Sequence, residues 1–310
     1  MNIVFCTDRA MLPALHVAAM QVLKYITGRP EFSILSEELS DADLALLRKT
    51  LDLVGKPFGL SLIQVSSKPF ADFPRLTGSL AAYFRLLIPD LIETEKCLYL
   101  DCDTFCQVDL APLFKWELGS CPVGMCAESP INGTADVRVA KELGSRATGH
   151  YYNSGVLLFA NSLWKTEQVT RLCMEYVSKQ QPDFWDQSAI NFVLHGQIAG
   201  LPSNYNCYTN VRINWPALKS PTKGMGQLIH FVDFPKPWSV LGRWVHPFGK
   251  LWWESYKNTI YADMRLNTLG AFEWSSRTQT GYKKCLKDKL LFNLYCMRIF
   301  LPKGVPSQVV

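Results

Sequence analysis

Nowhere in the 310 residues is there an apolar run of about 18 positions, the length a bilayer-spanning helix requires. The N-terminus shows no basic region followed by a long apolar stretch. It starts at once on a strand-like NIVFC and a polar turn, TDRA, so no secretory leader is read. Internal repeats and low-complexity tracts are absent. The ten cysteines contain no zinc spacing; their tightest pair is Cys102 and Cys106. Several, such as Cys6 and Cys97, lie inside apolar strand patterns, which points to reduced, mostly buried thiols and a cytosolic chain. Nothing resembles a nucleic-acid module, so no nucleic acid is expected as a partner.

What remains is ordinary globular composition, 48% hydrophobic and 19% charged, on a chain long enough for one or two domains. The net charge of +5 is unevenly spread. Arg277, Lys283, Lys284, Lys287, Lys289, Arg298 and Lys303 face Asp288 alone, a local balance of +6, so the rest sums to −1. The basic excess belongs to the C-terminus. The expected division is a globular domain over residues 1–262 and a basic, partly amphipathic tail over 263–310.

The first hundred residues alternate strand and helix. Ile3 to Cys6 reads as a strand. Pro13 opens a helix whose Leu15, Ala18, Ala19 and Val22 share a face, with Gly28 beyond its end. Phe32 to Leu35 is the second strand. Ser40 and Asp43 form a capping box ahead of Leu44, Leu47, Leu51 and Val54, the apolar face of a helix ending at Gly55. Gly59 to Val65 is the third strand, Ser79 to Leu87 a helix carrying Arg85, and Cys97 to Leu100 the fourth strand. Such alternation predicts a parallel sheet with covered faces, and ligands beyond the carboxyl ends of its strands. Later, Val123–Ala127 and Tyr151–Ala160 read as strands, with a polar loop from Glu128 to Gly149 between them. Ser162–Gln181 and Asp186–Leu194 read as helices, the latter capped by Asp186 with Gln187 at its entrance. Asn204 to Gly226 is loop-like.

The chemistry centres on LYLDCDTF. Asp101 and Asp103 follow the fourth strand directly, and in extended chain residues i and i+2 share a face. Two carboxylates so placed suit a hard divalent cation such as Mg²⁺ or Mn²⁺.

LYLDCDTF, YYNSGVLLF, WDQSAIN and HFVDFPKPW, in that order and at these separations, resemble glycosyltransferase family 8. The resemblance covers roughly Asn2 to Tyr261. It implies the GT-A fold, a Rossmann-like, mostly parallel mixed sheet, and a retaining, metal-dependent transfer of a hexose, galactose or glucose, from a UDP-sugar to a glycan acceptor, as in lipopolysaccharide synthesis. It makes Asp101, Asp103 and His230 the metal ligands, a set that suits Mn²⁺ better than Mg²⁺ because it includes a nitrogen. Lys236 would contact the diphosphate. Thr7 and Asp8, with Cys102 between the acids, would line the nucleotide site. Arg85, Asn153, Asp186 and Gln187 would surround the donor sugar, and Glu128 would face the acceptor. One position departs: Asp233 stands where the family commonly has a glycine that lets backbone approach the phosphates.

Two other readings stand beside this one. LYLDCDT also fits the opening motif of haloacid-dehalogenase-type phosphohydrolases, although no downstream acidic pair follows. An inactive binding protein held on an anionic membrane by the tail is the second. Leu286, Leu290, Leu294, Met297 and Leu301 form an amphipathic stripe flanked by the basic residues. That stripe suits either packing on the body or peripheral contact at the cytosolic membrane face.

Overall fold

The computed structural model describes residues 1–75, 79–208, 226–232, 236–239, 242–246 and 248–261. The basic tail and Asp233 lie outside the described residues.

Among the described residues, ten strands form two sheets. The large sheet has seven strands in the order β3-β2-β1-β4-β7-β6-β8. They are β1 (Asn2–Cys6), β2 (Glu31–Ser36), β3 (Gly59–Gln64), β4 (Lys96–Leu100), β6 (Val123–Pro130), β7 (His150–Ala160) and β8 (Ile198–Leu201). The four strands β3-β2-β1-β4 run parallel. Only β7 is reversed, antiparallel to both β4 and β6, while β8 is parallel to β6. The sheet is therefore mixed and mostly parallel, as the family resemblance implies; the alternation alone predicts a parallel sheet, and the reversed β7 departs from it. A small sheet joins β5 (Thr104–Cys106), β10 (Leu228–His230) and β9 (Cys207–Tyr208), with β10 in the middle.

The central strands β1 and β4 are apolar beyond their first residue because both faces are covered. Successive side chains go to opposite sides. Ile3, Phe5, Leu98, Leu100, Val156 and Leu158 join one core, against the helices α1 (Leu12–Tyr25) and α2 (Asp41–Asp52) and, further on, Trp252. Val4, Cys6, Cys97, Tyr99, Leu157 and Phe159 join the other, which also takes residues of α6 (Val169–Gln180) and α7 (Trp185–Val193). The capping box at Ser40 and Asp43 is present, each side chain meeting the other residue's backbone N–H.

Several local expectations need correction. The segment carrying Arg85 is 3-10 over Ala81–Leu87 and becomes a short α-helix, α3, only at Ile88–Leu91. The stretch read as a loop from Glu128 holds the last residues of β6 and the helix α4 (Val137–Leu143), whose N-terminus the Asp136 side chain caps. The single helix expected over Ser162–Gln181 is two, α5 (Asn161–Thr166) and α6. Gln168 breaks it with a φ of 56°, a left-handed conformation no helix continues through. β8 and β9 were unread because each is too short to display a period.

The strand order turns at β1: β2 lies on one side and β4 on the other. The crevice beyond the carboxyl ends of β1 and β4 is thus a switch point of the kind that receives ligands in open α/β sheets. Thr7 and Asp8 follow one strand; Asp101 to Asp103 follow the other.

Candidate active site

Beyond Leu100 the chain does not continue as strand. It turns through Asp101, Cys102 and Asp103 before β5. Thr104 fixes the turn, its backbone N–H and its hydroxyl both donating to the Asp101 carbonyl at 3.2 and 2.8 Å. The two acids converge by a turn rather than by the pleat of an extended strand. β5 then pairs antiparallel with β10 so that His230 lies opposite Thr104. That pairing delivers the imidazole: its Nε2 is 3.4 Å from Asp101 Oδ2 and 3.2 Å from Asp103 Oδ1. One ligand atom from each of Asp101, Asp103 and His230 lies within 4.8 Å of the others.

The fit to a metal can be judged from the surroundings. Gly155 on β7 lies against this cluster. A Cβ there would stand 2.1 Å from His230 Cε1 and 2.9 Å from Asp101 Oδ2. The missing side chain leaves the room in which the three ligands meet. The set is two hard oxygens and one borderline nitrogen, which suits a divalent first-row ion.

Charge is balanced closely around the acids. Asp101 Oδ1 receives the Tyr99 hydroxyl and lies 2.9 Å from an Arg85 nitrogen. Asp103 Oδ2 is 2.7 Å from Lys236 Nζ, which also donates to the Phe231 carbonyl. Burial alone would push the Asp103 carboxyl up, but the charges of Lys236 and His230 and their hydrogen bonds hold it well below the ordinary range. Arg85 is 5% exposed and lies over the Tyr99 ring at 4.7 Å. It donates to the Ser154 carbonyl and hydroxyl at 2.8 and 2.9 Å and to the Ala82 carbonyl at 2.8 Å. It also lies 3.3 Å from Asp186 Oδ2. Its guanidinium thereby ties β4 to β7 and α7.

Asp186 does not cap its helix. Phe184 holds that position without a side-chain bond, and Asp186 sits in the first turn, turned inward. Burial pushes its carboxyl up even beside Arg85. Its Oδ2 is buried beside Arg85 with no aligned hydrogen-bond donor among the described residues. Trp185, just before it, has a φ of 48°, a conformation costing an aromatic residue about 1–3 kcal/mol. That strain sits at the entrance of the helix carrying Asp186 and Gln187.

Asn153 and Gln187 meet directly. Asn153 Nδ2 donates to Gln187 Oε1 at 3.0 Å, and the Ser154 backbone N–H donates to the same oxygen at 3.0 Å. Gln187 Nε2 in turn lies 3.3 Å from Glu128 Oε2. Glu128 is exposed and Asn153 buried.

The remaining expected residues are placed as follows. Thr7 is buried, with its hydroxyl on the Asp8 carbonyl at 3.0 Å. Asp8 spends one carboxylate oxygen on the Met11 backbone N–H at 3.0 Å, which caps a short 3-10 turn. Cys102 is buried with its thiol toward the Cys6 carbonyl at 3.5 Å; burial first, then nearby carboxylates, push that thiol well up.

The family model described as glycosyl transferase family 8 matches residues 2–242. The chain belongs to glycosyl transferase family 8. Lipopolysaccharide glucosyltransferase WaaO of Escherichia coli is 25% identical over 308 residues, covering 93% of this chain and 87% of its own length. General stress protein A of Bacillus subtilis is 28% identical over 187 residues. That match takes in 54% of this chain and 62% of the relative, so less than two thirds of the relative's length is spanned. Among solved structures, galactosyltransferase LgtC in complex with donor and acceptor sugar analogues superposes with a TM-score of 0.71 at 23% identity. The superposition covers 84% of this chain and 96% of that one, and at such identity it carries the fold. The family match takes in both acids and His230, which leaves the phosphohydrolase reading without support.

Three residues at the site were not singled out from sequence. Tyr99 looked like strand core. Gly155 carried a usable signal, since a glycine inside a strand marks close approach of something to backbone. Asn206, described below, lay in a stretch read only as loop.

Proposed function

We propose that this chain is a retaining glycosyltransferase that moves a hexose, galactose or glucose, from a UDP-sugar to a hydroxyl of a glycan acceptor, with lipopolysaccharide or another lipid-linked glycan as the acceptor class. The observation that carries the reading is the convergence of Asp101, Asp103 and His230 within 4.8 Å at the sheet's switch point. WaaO, a lipopolysaccharide glucosyltransferase, supports the acceptor class, because this chain matches it over most of both lengths.

Asp101, Asp103 and His230 would hold the metal, and their nitrogen favours Mn²⁺ over Mg²⁺. When bound, such an ion supplies positive charge against the departing diphosphate. Lys236 adds a second positive charge at the same place, held on Asp103 until a diphosphate competes for it. Thr7, Asp8 and Cys102 border the nucleotide. Asp186 would accept from a donor-sugar hydroxyl, and Arg85, 3.3 Å from its Oδ2, orients the carboxyl. Asn153 and Gln187 hold the sugar near its anomeric carbon, and Glu128 faces the acceptor. A diphosphate leaves without a strong general acid, so a glycosidase-type carboxylate pair is not required. Gln187 is a poor nucleophile. We therefore favour same-face attack, in which the donor's own phosphate oxygen takes the acceptor proton.

No described helix is long and apolar enough to cross a membrane. We place the chain at the cytosolic face, drawn to anionic lipid by the basic residues after Gly281, each worth about 1 kcal/mol near such a surface. A chain truncated before Gly281 should keep its activity on a soluble acceptor analogue yet no longer sediment with anionic liposomes at low salt; full-length protein that ignores such liposomes refutes the membrane contact. The main reading is tested by screening nucleotide sugars for Mn²⁺-dependent slow hydrolysis. Release of UDP from UDP-galactose or UDP-glucose, abolished by chelator, is the expected result. Failure with every nucleotide sugar at high Mn²⁺ overturns it.

A further inference from the structure

Behind His230 lies a buried row of side-chain amides that ends on two backbone N–H groups. His230 Nδ1 is 3.0 Å from Asn206 Oδ1. Asn206 Nδ2 donates to Asn153 Oδ1 at 3.0 Å. That same Asn153 oxygen receives the Gly155 backbone N–H at 2.9 Å, and Gln187 Oε1 receives the Ser154 backbone N–H at 3.0 Å. Asn206 and His230 are 2% and 3% exposed, so water does not stand in for a lost partner.

The direction of the row is forced. A backbone N–H can only donate, so the Asn153 atom facing Gly155 and the Gln187 atom facing Ser154 must be oxygens. With Asn153 Oδ1 fixed as acceptor, Asn206 must turn its NH₂ toward it. The carbonyl oxygen of Asn206 then faces His230, and Nδ1 must carry the hydrogen. The nitrogen left for Asp101, Asp103 and whatever they bind is Nε2. Two peptide N–H groups of β7 therefore decide, through three amides, which nitrogen of His230 a metal meets.

We propose that Asn206 is a positioning residue for the metal centre: it accepts the Nδ1–H of His230, and so fixes the ring's rotation and presents Nε2 to the ion. This rests on the reading of Asp101, Asp103 and His230 as ligands. Partners of this kind behind a ligating histidine change metal affinity by about 10–100-fold when removed. The same row ends on Gln187, so the metal centre and the sugar-binding amides share one hydrogen-bonded frame.

The test is Mn²⁺ affinity without nucleotide, read as free Mn²⁺ by electron paramagnetic resonance on the full chain. Asn206→Leu keeps the branched outline of the side chain but removes the acceptor; Asn206→Asp keeps an acceptor for Nδ1–H and gives up only the donation to Asn153. The expected result is binding weakened at least 10-fold in Asn206→Leu and within about 3-fold of wild type in Asn206→Asp. Equal loss in both means packing alone, and unchanged affinity in both means no role; either overturns the proposal while leaving the metal centre standing. Wild type that binds no Mn²⁺ overturns the metal reading itself. Should Asn206→Leu not fold, ¹⁵N spectra of the wild-type histidines decide the matter: His230 must carry a proton on Nδ1, and a bare Nδ1 refutes the relay.

Discussion

Adding one methyl group at Gly155 should disable the metal centre without unfolding the protein. Gly155 is not in the left-handed region, so alanine brings no backbone strain and the effect is one of space alone. The new Cβ would stand 2.1 Å from His230 Cε1 and 2.6 Å from Nδ1, where ordinary contact begins near 3.4 Å. The ring must retreat by about 1.3 Å, or β7 must move by as much, whereas metal–ligand distances tolerate about 0.2 Å. β7 has little freedom here. The Gly155 carbonyl accepts the Asp101 backbone N–H at 2.9 Å, and its own N–H is bonded to Asn153 at 2.9 Å. His230 is held by Asn206 and by the β5–β10 pairing. The added Cβ, crowding both the ring and Asp101 Oδ2, therefore disturbs the meeting of Nε2 with the carboxylates. Overpacking of this kind costs about 1–3 kcal/mol, less than the stability of an ordinary domain. Gly155→Ala should melt cooperatively at a reduced temperature, yet bind Mn²⁺ at least 10-fold more weakly and lose Mn²⁺-dependent hydrolysis of UDP-sugar to a similar or greater degree. A folded Gly155→Ala protein with wild-type Mn²⁺ affinity refutes the cradle argument, and with it the claim that this glycine makes room for the ion.

Asp103→Asn should abolish transfer while the fold persists, since it removes a charged ligand and the partner of Lys236 rather than a core contact; turnover of wild type in excess chelator would contradict it. The product should keep the donor's α configuration, read by proton NMR on the first-formed product, and a β-linked product would sink the retaining assignment. Gln187→Ala should lower the rate by more than it weakens UDP binding, because Gln187 supports the sugar rather than the nucleotide. Stability should fall on acidification through His16, which is fully buried and whose imidazole burial pushes down to about 3. Between pH 6.5 and 3 the unfolded histidine binds a proton that the folded one refuses, so stability is full above 6.5 and declines below it, by about 2 kcal/mol at pH 5. Urea unfolding of wild type and His16→Leu at pH 7 and pH 5 checks this; a difference that does not change with pH rules it out.

The parts of the fold that could be read from the chain are those where one residue's surroundings repeat. Strands β1, β2 and β4 are buried on both faces, so their text is apolar but for Ser33 and the strand ends, and their helical partners carry a plain 3.6-residue period. Ser40 and Asp43 are legible because a capping box needs only local geometry. What escaped was set by single residues or by distant partners. The break at Gln168 depends on one φ angle, and the inward turn of Asp186 depends on Arg85, about a hundred positions earlier in sequence. The pairing of Asp101 and Asp103 was foreseen, but through an extended geometry, whereas a turn held by Thr104 does the work.

The same distinction explains why the ligands were legible and their supports were not. A ligand announces itself by residue type: two acids and a histidine are few, and their chemistry is specific. A supporting residue announces itself only by position. Asn206 is one asparagine among many, and its meaning comes from facing His230 on one side and Asn153 on the other, 24 and 53 positions away. Gly155 matters for what it lacks, and Tyr99 for where its hydroxyl ends. The strands bring these together because β7 runs against β4 with Leu100 opposite Val156, so that the peptide of Gly155 meets Asp101 just as β4 ends. A reversed strand inside a parallel sheet thus places backbone N–H groups beside the carboxyl end of its neighbour. Here those groups orient the amides that orient the histidine. The reversal of β7, which the alternation of strand and helix gave no reason to expect, is the feature on which the order of the site depends.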